Sequence, residues 1–223
     1  MTESLDQTGT LQHIYEEVQQ RFIRVNDLAH GWEHVKRVYT LARYLAQQEK
    51  ADQFIVGCAA LMHDLGRTVP EDENEEQRHH ADLSVELAGE ILQRYTVPMD
   101  VQQAIIHAIV AHSFSKGIPP RTLEAGLVRD ADRLDGLGAI GILRWAMVGE
   151  QRRTPNTRSY HPTDPLAQLH TPDDQTYMLD HFPAKLLTLA DSMCTETGRK
   201  LARQRTDYMR DFLRQFADEL NTR

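Results

Sequence analysis

His63 and Asp64 put an imidazole and a carboxylate side by side at the end of the most apolar run in the chain, Cys58-Ala59-Ala60-Leu61-Met62. A carboxylate buried there is costly unless it is neutralised, meets a cation or binds a metal. A buried ion pair or a polar helix end accounts for the dipeptide taken alone, so its meaning depends on what else can reach it. His34 stands at the start of an amphipathic segment in which Val35 and Val38 set the buried face. His30, four residues earlier, shares that face only if the helix begins before Gly31. Further on, Val128-Arg129-Asp130-Ala131-Asp132-Arg133-Leu134-Asp135 places three acids in an otherwise apolar segment. Residues two apart on a helix point about 200° apart, so either Asp130 or Asp132 turns inward and the other does not. His34, His63, Asp64 and one of those two aspartates make a set of two histidines and two carboxylates. That mixed nitrogen and oxygen environment suits Mn²⁺, Fe²⁺, Co²⁺ or Zn²⁺ better than Ca²⁺. His107 and His112 lie five apart, about 140° around a helix, and cannot both face one centre without a bend.

The elements that must position these residues are helical. Apolar side chains recur at helical spacing, and the alternating β-branched runs of a sheet are few, which predicts an all-α chain. Leu11, Ile14, Tyr15 and Val18 form one stripe, and Val35, Val38, Leu41, Ala42 and Leu45 form the next after Gly31. The segment from Phe54 to Leu65 is apolar on nearly every side and reads as a central buried helix with Gly66 just past its end. Residues 67–78 read as a solvated, mobile loop rich in acids (Glu71, Asp72, Glu73, Glu75, Glu76), and the adjoining His79 reads as a loop residue. Helices are expected over about 80–95, 99–114, 122–134 and 137–148, then a Pro-rich irregular insertion over about 150–175, then one or two amphipathic helices over about 176–222. The insertion suits a lid over a site or a contact between two copies. The 223 residues with 40% hydrophobic content exclude disorder and fibrous classes. A net charge of −8 disfavours nucleic-acid polymers and anionic membranes as partners. No stretch is apolar enough to span a membrane, the N-terminus lacks a secretion signal, and a cytoplasmic location is expected. Cys58 and Cys194, far apart in helix-like segments, read as small buried hydrophobes.

The order His…His-Asp…Asp in a helical chain resembles the HD-domain metal-dependent phosphohydrolases. The resemblance extends through His-Gly-x-x-His-x-x-Arg-Val at 30–38, Leu-Met-His-Asp-Leu-Gly at 61–66, Ile-Val-Ala-His-Ser-Phe-Ser-Lys-Gly at 109–117, Asp-Ala-Asp-Arg-Leu-Asp at 130–135 and the segments around Thr195–Ala202 and Arg210–Leu213. It is similar to the small bacterial members of that superfamily, some of which release pyrophosphate from nucleoside triphosphates. The resemblance implies one domain over 1–223, an HD helical bundle with its core at about 26–148. It implies His34, His63, Asp64 and Asp132 as metal ligands, with Asp130 and Asp135 orienting ligands or pairing with Arg129 or Arg133. The divalent ion is Mn²⁺ in the first instance, with Fe²⁺, Co²⁺, Ni²⁺, Zn²⁺ and Mg²⁺ as alternatives. His80 and His112 fall where related phosphodiesterases complete a second metal site. The preferred reading is a single ion, with these two imidazoles as substrate contacts or proton donors beside Asp64. Arg37, Lys116, Arg133 and Arg144 are the candidate cations for phosphoryl oxygens, Lys116 foremost because its loop ends in Gly117. The implied reaction is metal-assisted hydrolysis of a small phosphorylated substrate, a nucleotide, by pyrophosphate release or by monophosphatase action. A di-iron oxygenase and a non-catalytic nucleotide-binding module are the rivals.

Overall fold

The computed structural model describes residues 5–70, 79–113 and 116–221, and the chain divides into two compact units, Met1–Asp132 and Arg133–Arg223. Regular structure among the described residues is helical, apart from an isolated parallel bridge between Arg158 and Tyr177. The chain is all-α.

In the first unit, α1 (Gln7–Phe22), α2 (Trp32–Glu49), α3 (Gln53–Met62), α4 (His80–Arg94) and α5 (Met99–His112) are followed by α6 (Leu123–Asp135), which runs across the division. Helix α3 starts where Asp52 accepts hydrogen bonds from the amides of Phe54 (2.8 Å) and Ile55 (3.0 Å), a cap of about 1 kcal/mol. Its small residues Gly57, Cys58, Ala59 and Ala60 let neighbours approach, and it packs against α1, α2 and α5 with its length from Val56 to Met62 buried. The helix ends three residues sooner than its apolar pattern suggests. Asp64, at φ −111° and ψ 16°, leaves the α ladder, and Leu65–Thr68 tightens into a 3-10 turn. Gly66 therefore sits inside that turn rather than beyond a helix end. A Cβ there would lie 2.1 Å from the carbonyl oxygen of His80 and 2.9 Å from Leu83 Cβ. Glycine thus lets the first turn of α4 rest on the 3-10 turn, and the Gly66 amide donates to Ser84 Oγ at 2.8 Å. His79 caps α4, its Nδ1 accepting from the Ala81 amide at 3.1 Å. The acidic residues Glu71, Asp72, Glu73, Glu75 and Glu76 lie outside the described residues.

In the second unit, α7 (Gly138–Gln151), α8 (His181–Ala184) and α9 (Glu196–Leu220) are joined by irregular chain and by 3-10 turns at Met178–Asp180 and Leu186–Ser192. The stretch expected as one or two amphipathic helices is one only from Glu196 onward. Pro183, which has no amide hydrogen, falls within the four residues of α8, and the following segment tightens to 3-10. Thr195 starts α9 by accepting from the Gly198 amide at 3.1 Å. Ala202, Thr206, Met209 and Leu213 form its buried stripe, and Phe182 is buried between Trp145 and Phe212, with ring centroids at 4.9 and 5.9 Å. Cys58 is buried, and burial pushes its thiol pKa up. Cys194 is exposed, which corrects the expectation of a buried thiol: it lies in the bend between the 3-10 turn and α9.

Candidate metal centre

Four elements of the first unit bring imidazoles and carboxylates to one place. His34 comes from the first turn of α2, His63 and Asp64 from the end of α3, His80 from the first turn of α4 and His112 from the last residue of α5. Asp132 joins them from α6. His34 Nε2 lies 3.3 Å from His63 Nε2, 3.5 Å from Asp132 Oδ1 and 3.8 Å from Asp64 Oδ2. His63 Nε2 lies 3.8 Å from the same Asp64 oxygen and 4.0 Å from Asp132 Oδ1. The other oxygen of Asp64 faces the opposite pair, with His80 Nε2 at 3.6 Å and His112 Nε2 at 3.9 Å. Two three-ligand groups result, His34 with His63 and Asp132, and Asp64 with His80 and His112. Asp64 touches both. Asp130, two residues before Asp132 on α6, is wholly buried.

The backbone sets the ring tautomers. His63 Nδ1 lies 2.8 Å from the carbonyl oxygen of Ala60, and His112 Nδ1 is bonded to that of Ile109. A carbonyl only accepts, so each Nδ1 carries the hydrogen and each Nε2 turns its lone pair to the centre, as a ligating imidazole requires. Burial opposes ionisation of Asp64, but the electrostatic influence of His63, Arg67, His112 and His34 outweighs it and holds its carboxyl well below the usual range. Asp132 is lowered in the same way, burial being outweighed by His63 and His34. Burial pushes His80 down to about 4, and burial with the neighbouring His63 lowers His112. At neutral pH the centre therefore holds ionised carboxylates beside the neutral imidazoles of His80 and His112. This donor set fits a borderline divalent cation.

Arg67 is the residue that sequence reasoning missed. Its Nε lies 2.7 Å from Asp64 Oδ2 with 29% of its side chain exposed. The available signal was its place three residues after Asp64 in a turn where such residues eclipse. His30 also stands close, its ring centroid 6.0 Å from that of His34 and its Nδ1 2.9 Å from Asp27 Oδ2. The other cations are dispersed. Arg37 is half-buried on α2, one turn past His34, and Lys116 Nζ lies 2.5 Å from Asp82 Oδ2. Phe114 and Ser115 of the same loop lie outside the described residues. In the second unit Arg133 Nη1 donates to the carbonyl and hydroxyl of Ser192 at 2.5 and 2.9 Å, and Arg144 pairs with Asp135 at 3.1 Å. His107 accepts from the Arg121 amide at 2.9 Å.

A family model described as HD domain matches residues 31–137. The uncharacterized protein YpgQ of Bacillus subtilis is 35% identical over 195 residues, covering 86% of this chain and 84% of that protein. The solved structure of Bacillus subtilis YpgQ in complex with ADP superposes with a TM-score of 0.72 at 31% identity over 96% of each chain. That of an HD-superfamily hydrolase from Bacillus thuringiensis gives 0.74 at 29% identity over 97% of this chain and 100% of that one.

Proposed function

The chain belongs to the HD-domain superfamily, and from its centre we propose that it is a metal-dependent phosphohydrolase whose substrate is a nucleotide, with pyrophosphate release from (deoxy)nucleoside triphosphates as its reaction. The observation that carries this reading is the Asp64 carboxylate, buried and ionised, with one oxygen toward His34 and His63 and the other toward His80 and His112. ADP in the Bacillus subtilis relative supports a nucleotide as substrate.

His34, His63, Asp64 and Asp132 would hold one divalent ion, Mn²⁺ in the first instance. When bound, the ion supplies Lewis acidity that lowers the pKa of a water and offsets negative charge on a phosphoryl oxygen. The chain's own groups do the rest. His80 and His112, neutral at working pH, present Nε2 lone pairs that can take a proton from water or orient it. Arg67 is the cation nearest Asp64 and is partly exposed, so its guanidinium serves the phosphoryl oxygens. Lys116, on the loop after α5, is the second cation proposed for the phosphate chain. Arg37 completes the set of proposed substrate contacts.

The test is turnover of purified protein with Mn²⁺ against nucleoside mono-, di- and triphosphates, deoxy forms included, reading orthophosphate and pyrophosphate separately. Pyrophosphate from triphosphates is expected. Orthophosphate alone would replace this reading with a phosphatase. No product from the panel, with metal content confirmed, would overturn phosphohydrolysis and send the search to visible absorption from iron.

A further inference from the structure

The segment after α7 carries a second association of histidines and aspartates that the proposed reaction does not use. His170 stands between two carboxylates, with Nδ1 2.7 Å from Asp164 Oδ2 and Nε2 2.8 Å from Asp180 Oδ2. A carboxylate oxygen only accepts, and a neutral imidazole has one N–H. Both contacts are hydrogen bonds only if His170 carries two protons. Each carboxylate is in turn built into the backbone: Asp164 accepts from the amides of Gln168 (3.0 Å), Leu169 (2.7 Å) and His170 (3.1 Å), and Asp180 Oδ2 accepts from that of Asp173 (2.8 Å). The ring therefore joins the 164–170 loop to the 173–180 turn. The Asp180 side chain has no solvent exposure, and its Oδ1 has no hydrogen-bond partner among the described residues. A carboxylate so buried needs a cation, and His170 touches it.

We propose that His170 is a doubly protonated clasp which holds residues 164–180 in their folded form and releases them as the solution turns alkaline. Four titratable groups face the ring. Asp164 and Asp180 bond to it, His161 stacks on it at 4.5 Å, and Tyr177 meets it edge-on at 5.9 Å. His161 Nδ1 accepts from the Asp164 amide at 3.2 Å, so the stacked ring is neutral there and does not oppose the charge on His170. The hydrogen bonds from Asp180 and then Asp164 raise the pKa of His170 above its ordinary value. The clasp is therefore complete below about 6.5, the unfolded value, and is lost as pH rises through the raised folded value. Above it, one nitrogen lone pair faces a carboxylate oxygen at hydrogen-bond distance, and that contact turns repulsive.

The test uses the full chain. Ring ¹⁵N and ¹³C resonances of His170, assigned with His170→Gln, are followed against pH together with hydrogen exchange of the amides of residues 168–170 and 173, corrected for intrinsic rates. Expected are two protonated ring nitrogens at neutral pH and a titration of His170 above the ordinary histidine value. Corrected protection of those four amides should fall by up to about tenfold for each pH unit between about 6.5 and the raised His170 pKa and level off above it, while protection in α3 stays constant. Asp164→Asn should lower the His170 pKa. A ring with a single proton at about pH 6, the second residing on Asp180, would overturn the proposal, as would protection that ignores pH. Should His170→Gln not fold, assignment through Asp164→Asn leaves both wild-type readouts in place.

Discussion

Asp64 bears two demands at once: it is buried with 4% of its side chain exposed, and it is ionised. Its burial is tolerable only with cations beside it, and in the metal-loaded protein an ion would join Arg67 in that duty. Asp64→Ala is expected to abolish bound Mn²⁺ and turnover together; full metal content by elemental analysis in a folded variant would remove Asp64 from the ligands. Arg67 acts differently. Arg67→Ala should leave metal content unchanged and lower kcat/KM about a hundredfold, with part of the loss restored in Arg67→Lys. Unchanged kinetics would return Arg67 to a purely structural pairing with Asp64. The residues His34, His63 and Asp64 are conspicuous in the sequence because imidazole and carboxylate are expensive next to Val35 or Met62. Arg67 is not, since an arginine opening a charged loop has an ordinary explanation in solvent.

Elements place these residues through their ends. The exit from α3 presents His63 and Asp64, and the first turn of α4 presents His80 because Gly66 admits it. Gly66→Ala would set a methyl 2.1 Å from the His80 carbonyl oxygen. It is expected to destabilise the chain by about 1–3 kcal/mol and to weaken metal affinity, both measurable by denaturant titration and by Mn²⁺ binding. Equal stability would mean that α4 can shift outward at no cost. The irregular segment has its own pH dependence at the acid end. The amide of Leu169 and the hydrogen bond from His170, against burial that opposes them, hold Asp164 at about 2. Its stabilisation is present above the ordinary carboxylate pKa and is lost as pH falls through about 2, so exchange protection of residues 168–170 should hold down to about pH 4 and decline progressively from there to about 2. Helix positions were largely legible from apolar spacing, Gly and Pro. The end of α3 was not, because Leu65 continues the apolar pattern while the backbone at Asp64 has already left the helix. The four-residue α8 and its flanking 3-10 turns were not either, since leucines at 186, 187 and 189 suit several tight conformations equally.

At the scale of the whole chain, an ion that binds only the folded protein stabilises it by mass action. Free Mn²⁺ at a hundred times its Kd should add about 2.7 kcal/mol, read as a rise in Tm that chelation reverses. No shift would show that Mn²⁺ does not bind the folded protein selectively. From the sequence alone follow the helical class, the approximate helix positions, and the presence of histidine and aspartate at positions that an apolar environment penalises. These depend on local backbone preference and on the cost of desolvation, which a residue carries with its type. Only the tertiary structure decided that Asp132 joins His34 and His63 while Asp130 is wholly buried, that the two oxygens of Asp64 face different histidine pairs, and that His170 lies between Asp164 and Asp180. Helix periodicity says that two aspartates diverge but not which side meets a partner from another helix. In irregular chain no periodicity exists, so the partners of His170, six residues before it and ten after, are set by the path of the backbone itself.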